Sequence, residues 1–113
     1  MKIHPLALGL AALLLFAGCK SKATEIKTLL DDPSQYDHKI VTVAGTVGRS
    51  IGVLGYGAYE LSDDTGKISI VSKSGGAPRE GAEVVVRGEF RNAFTLGTTT
   101  AAAILEQDRV SKP

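Results

Sequence analysis

The chain has 113 residues, with 13 Lys and Arg against 12 Asp and Glu, and a single cysteine. The near balance of charge excludes the net positive field that drives nonspecific nucleic-acid binding, and one cysteine excludes an intramolecular disulfide. A hydrophobic share of 43% without tryptophan suits one small unit with a modest core.

Lys2 opens the chain, and Pro5 to Leu15 carries no charge. A positive start, a short apolar run and small residues before a cut site predict a secretory signal over residues 1–18. The apolar run is shorter than the ~20 residues of a membrane-spanning helix. The run ends in Phe16-Ala17-Gly18-Cys19, which resembles the lipobox of bacterial lipoproteins, with Phe16 where that family usually has Leu. The resemblance implies cleavage before Cys19, a thioether link from Cys19 to diacylglycerol, and acylation of the new amino group. It implies a membrane partner through the N-terminal lipid and a bacterial cell-envelope location, facing the periplasm or the exterior. Two or more acyl chains give stable anchoring where one gives marginal binding. Cleavage would remove Lys2 and no acidic residue, leaving the side chains balanced. Residues 19–23 read as a polar tether and 24–113 as the folded domain.

Thr24 is placed to cap a short helix over Glu25 to Asp31, with Ile26, Leu29 and Leu30 on one face and Pro33 as its stop. From Lys39 to Val47 the period changes to two, with Val41, Val43, Gly45 and Val47 on one side, which predicts a half-buried strand. Gly45 and Gly48 permit the bend or bulge that a small barrel needs. Glycines at 48, 52, 55 and 57 predict a loop over 48–57. Tyr59 and Leu61 mark a second strand, Asp63-Asp64-Thr65-Gly66 a turn, and Ile68 and Ile70 a third strand, together a hairpin. Ser72 to Gly81 reads as a polar loop and Glu83 to Phe90 as a fourth strand. Asn92 to Thr100 reads as a second long loop, with Phe94 either in the core or exposed. Ala102 to Arg109 reads as a fifth strand, with a helix as the competing reading because of its alanines. Five strands in so short a chain must close, or nearly close, to bury their edges.

The order Val41-Thr42-Val43-Ala44-Gly45-Thr46-Val47, then Tyr59 to Ile68, then Gly81 to Gly88, with the lead-in Asp32 to Lys39, resembles the OB-fold of the anticodon-binding-like type. The resemblance covers about half the chain and implies an all-β, five-stranded OB-like barrel behind a short N-terminal helix. OB-folds bind single-stranded nucleic acid, oligosaccharide or protein, so the fold alone does not choose a ligand. Exported bacterial OB-fold proteins form a similar group, whose ligands are mostly envelope components.

The residues offer little chemistry. Asp64-Thr65-Gly66 spells an aspartic-protease triplet, but that chemistry needs two carboxylates sharing a proton, and the triplet falls where a hairpin must turn. Asp63 and Asp64 supply few of the 6–8 oxygens that calcium takes. His38 is the only histidine beyond the signal, so it supplies neither a His-based metal site nor the post-barrel attachment of heme-handling OB-folds. The glycine spacing at 48–57 matches no phosphate loop. The reading is therefore a noncatalytic, lipid-anchored binding module without cofactor or metal. Its partner is an envelope protein or a glycan, bound through the barrel face and the two loops. Candidate ligand residues are Arg49, Ile51, Leu54, Tyr56, Lys67, Arg87, Arg91 and Phe94. The alternative is single-stranded nucleic acid, which stacks bases on aromatics and tracks its backbone with cations. With Tyr59, Leu61, Ile68 and Ile70 inward, the outer face shows Ala58, Glu60, Ser62, Lys67, Ser69 and Val71, a face without an aromatic. Arg87 and Arg91 beside Glu89 suggest ordinary cross-strand pairs. Nucleic acid is thus the disfavoured partner.

Overall fold

The computed structural model describes residues 23–53, 56–73 and 76–111, with backbone alone at 51–53 and 56. The signal and Cys19 readings, together with Leu54 and the side chains of Ile51 and Tyr56, lie outside the described residues. Among the described residues, two short helices, α1 (Ile26–Asp31) and α2 (Pro33–Tyr36), precede five strands: β1 (Ile40–Val53), β2 (Tyr56–Ser62), β3 (Lys67–Ser72), β4 (Glu83–Leu96) and β5 (Thr99–Ser111). The sheet closes in the order β1-β2-β3-β5-β4. Every neighbouring pair is antiparallel except β3 and β5, which run parallel through Ser69–Val71 against Ala103–Leu105. The expected all-β OB-like barrel is what forms.

The period-two pattern places the core as expected. Val41, Val43 and Val47 of β1, Tyr59 and Leu61 of β2, Ile68 and Ile70 of β3, Val84, Val86 and Phe90 of β4, and Ile104 of β5 fill the interior. Ile26 and Leu29 of α1 add two fully buried side chains. A six-residue helix does not persist alone; burial of this face holds it.

Several boundaries differ from expectation. Thr24 does not cap α1. The N-cap position is Glu25, without a side-chain bond, and the Thr24 amide instead donates to the Thr42 carbonyl at 2.7 Å. Pro33 ends α1 but also opens α2, because proline at a first helical position loses only a hydrogen bond that would be absent anyway. The 48–57 segment is largely paired strand, since β1 runs on to Val53 and β2 starts at Tyr56. Gly48 and Arg49 stand against Glu60 alone at the register shift between Val47 and Ser50, so the glycine there serves a bulge rather than a long loop. The 92–100 segment is likewise a hairpin arm, with Leu96 paired to Thr99 and Gly97 at a φ of 65° in the tight turn. Strand pairing absorbs the glycines and threonines because each arm edge finds a partner. The alanine-rich last segment is a strand from Thr99 to Ser111, longer than the expected 102–109.

The turn between β2 and β3 is built on Asp63. Its carboxylate accepts from the Thr65 amide at 2.7 Å, the Thr65 hydroxyl at 2.6 Å, the Gly66 amide at 3.0 Å and the Ile26 amide at 3.0 Å. The protease-like triplet is thus part of a turn that also fastens α1. Partial burial alone would raise the Asp63 pKa, but these four donors outweigh it and hold the carboxyl below its ordinary value. A group depressed in this way adds stability above the unfolded-state pKa and loses it as pH falls through the folded one. Asp63→Ala is expected to cost about 2 kcal/mol at neutral pH, since hydrogen bonds to a charged group are worth about 1.5–3 kcal/mol. Urea unfolding at pH 7 and pH 3 checks this, and the gap between variant and parent should shrink at the lower pH.

The loop after β3 folds back on β1. The Val47 amide donates to the Ala82 carbonyl and the Gly81 amide to the Val47 carbonyl, both at 2.8 Å. The Ser50 hydroxyl donates to the Pro78 carbonyl at 2.9 Å. Beneath the loop, the Tyr59 hydroxyl donates to the Glu106 carboxylate. Arg109 donates to Glu106 at 3.2 Å and to the Gly76 carbonyl at 3.3 Å. Burial, then the Glu106 bond, pushes the Tyr59 phenol upward, so it remains a neutral donor. These inward polar groups satisfy one another.

Candidate ligand-binding face

The outer face of β2, β3 and β5 carries Ala58, Ser69, Val71, Ala101, Ala103 and Leu105. Val71 and Ala103 point away from the interior yet are only 4% and 3% exposed. The β4–β5 arm accounts for this. Phe94 and Leu96 from the arm line two adjoining grooves together with Val71. One groove, of about 310 Å³, has a floor of small side chains, Ala58, Ser69, Ala101 and Ala103. The other, of about 560 Å³, adds Leu105 and the charged groups Lys73, Glu89 and Arg91.

Phe94 reaches this face because of a bulge. Phe90 pairs with Ile104, and its ring is fully buried in the core. Strict alternation would send Phe94, four residues on, to the same side. Instead Asn92 and Ala93 stand against Ala102 alone, between the Arg91–Ala103 and Phe94–Ala101 pairs. The extra residue flips the strand by one, and Phe94 emerges on the outer face. The Asn92 amide at this bulge donates to the Asp37 carboxylate at 2.7 Å.

Of the expected site residues, the structure brings Arg91 and Phe94 together in one groove. Lys67 is exposed at the start of β3 and lines a small neighbouring hollow with Leu30, Glu60, Ala101 and Ala102. Arg49 is exposed in the β1 bulge and is not among the groove residues. Arg87 does not join them either: it points off the barrel wall and pairs with Asp108 at 3.4 Å across to β5. Arg91 meets Glu89 at 3.8 Å on its own strand. The expectation of an outer face without an aromatic is corrected, because the β4 bulge supplies Phe94. Leu96, Leu105, Val71 and Lys73 were not among the expected site residues. Sequence offers no signal for them, since the arm and the parallel β3–β5 pairing that assemble the face join residues far apart in the chain.

Neither a family model nor a curated protein sequence matches this chain. Solved structures do resemble it. An asparaginyl-tRNA synthetase from Pyrococcus horikoshii superposes with a TM-score of 0.58 at 18% identity, covering 68% of this chain and 20% of the synthetase. An OBody bound to hen egg-white lysozyme gives a TM-score of 0.56 at 16% identity, over 68% of this chain and 84% of the OBody. A mitochondrial single-stranded DNA binding protein from S. cerevisiae gives 0.51 at 19% identity, over 66% of this chain and 94% of that one. The chain therefore spans about a fifth of the synthetase. At these identities the likenesses show the fold, and the fold is the OB-fold.

Proposed function

We propose that the chain is a noncatalytic OB-fold binding module whose ligand lies across the outer face of β2, β3 and β5, against the β4–β5 arm. One observation carries this. Phe94 and Leu96 leave the core through a bulge and border two grooves over an apolar floor, and a concave apolar site with a few polar groups is the usual form of a ligand site.

Two ligand classes suit the face. The similar structures favour single-stranded nucleic acid, because they include a single-stranded DNA binding protein and a tRNA synthetase. Phe94 flanked by Lys73 and Arg91 in one groove supplies a stacking plane with cations beside it. An envelope protein or glycan is supported by the apolar second groove and by the signal ending in Cys19. The OBody complex is an OB-fold bound to a protein.

The discriminating experiment is an amide NMR titration of the full chain in detergent, first with a dT12 oligonucleotide and then with soluble peptidoglycan fragments. Oligonucleotide-induced shifts at Ser69, Val71 and Phe94 that fade as salt rises from about 50 to about 200 mM support nucleic acid. Silence with the oligonucleotide removes it, and shifts with the fragments at the same residues then support glycan. Silence with both points to a protein, sought by crosslinking in the intact envelope. Phe94→Ala is expected to weaken whichever ligand binds by about tenfold or more, as loss of a stacking or hot-spot aromatic costs about 1–3 kcal/mol. The urea midpoint should move little, because the ring is not in the core.

The envelope location belongs to the same reading. Cys19→Ser is expected to shift the protein from the membrane to the soluble fraction, and the parent chain to carry the mass of a diacylglycerol. An unmodified Cys19 in the mature protein would overturn the anchor and leave the binding face untouched.

A further inference from the structure

The turn between α2 and β1 meets the arm at the bulge. His38 occupies the left-handed region with a φ of 68°, which is uncommon outside glycine. Its amide donates to the Phe90 carbonyl at 2.7 Å, so the turn is tied to β4 by backbone. The ring then lies among charges. Nδ1 is 3.0 Å from Glu89 Oε2, and Nε2 is 3.4 Å from Asp37 Oδ2. The other Asp37 oxygen holds the Asn92 amide of the bulge. Glu89 Oε2 is also the atom that Arg91 approaches at 3.8 Å, and Glu89, Arg91 and Phe94 line the same groove. The charged groups around His38 are thus Asp37 from its own turn and Glu89 from β4, with Arg91 beyond it.

We propose that His38 is a proton sensor for the groove: its protonation draws Glu89 away from Arg91 and leaves the guanidinium facing an incoming anionic group. The role in binding rests on the reading that this groove holds the ligand. Histidine is the side chain whose charge ordinarily changes between about pH 5 and 8. While the imidazole is neutral, Arg91 is, among the described residues, the full positive charge within 4 Å of the Glu89 carboxylate. An imidazolium at 3.0 Å is closer than the Arg91 contact, so it takes the larger share of that charge. The proton adds a cation beside the groove and loosens the pair that holds the existing one. An anionic ligand is then held more tightly when the His38 ring is protonated than when it is neutral.

The test needs no ligand. The full chain in detergent is titrated from about pH 8 to about pH 5, following the His38 ring, the Arg91 Nε–Hε group and the amides of Asn92 and Phe94. The Arg91 group and the Phe94 amide should move with the same midpoint as the His38 ring. In His38→Asn, where asparagine tolerates the left-handed backbone, those movements should vanish. In Glu89→Gln the ring should still titrate while Arg91 stays still. A flat Arg91 resonance in the parent chain, or an unchanged titration in His38→Asn, overturns the sensor whether or not a ligand binds. Coupled titration in a chain that binds neither oligonucleotide nor glycan nor protein counts against the binding reading and, with it, against the sensor's role.

Discussion

Gly88→Ala is expected to abolish the folded state, with a loss on the order of 5 kcal/mol, the exceptional end of single-substitution effects. Gly88 is buried in β4 and pairs with Glu106 just where Gln107 of β5 is left over at a register shift. A Cβ there would meet the Leu105 carbonyl oxygen, with the carbonyl carbon at 2.8 Å and Ile104 Cγ2 at 2.9 Å. The obstacle is backbone on the partner strand, so no rotamer relieves it. Moving β5 would break the parallel β3–β5 contact that closes the barrel. Thermal unfolding followed by circular dichroism should show no cooperative transition for this variant. Gly66→Ala is the control. Its Cβ would meet nothing nearer than Ile26 Cγ2 at 3.4 Å, and it should lose less than about 1 kcal/mol. A folded Gly88→Ala protein with a parental melt would show that β4 and β5 do not pack as described.

Phe90→Ala should be the most costly of the side-chain truncations, at about 3–5 kcal/mol. The ring is the largest of the fully buried side chains. The Phe90 amide also donates to the Lys39 carbonyl at 2.8 Å, while its carbonyl takes the His38 amide, so the backbone is fixed and the cavity cannot collapse by strand movement. A domain of this size has roughly 5–15 kcal/mol in total, so the loss is a large part of the whole. The comparison with Phe94→Ala is the informative one. The two phenylalanines sit on one strand in positions that strict alternation would make equivalent, yet the first should govern the urea midpoint and the second the affinity. Equal effects on stability would mean that the bulge does not turn Phe94 outward.

Those two residues also mark how far the sequence could be read. The alternation of Val41, Val43 and Val47, of Tyr59 and Leu61, of Ile68 and Ile70, and of Val84, Val86 and Phe90 announced the strands and their inward faces. The Asp63-to-Gly66 turn and the order of elements announced the hairpin and the OB-like barrel. These signals are local: a strand's period and a turn's chemistry are written within a few neighbouring residues. The two glycine- and threonine-rich segments read as loops because local composition does not reveal that another strand lies alongside to pair with them. The sequence by itself thus determined the barrel and its core. Tertiary structure alone decided that Phe94 faces outward, that Val71 and Ala103 are covered, that Arg91 joins the groove and Arg87 does not, and that His38 meets Glu89. Each of these depends on a bulge or a register between segments far apart in the chain, and a shift of one residue reverses the face that every later side chain occupies.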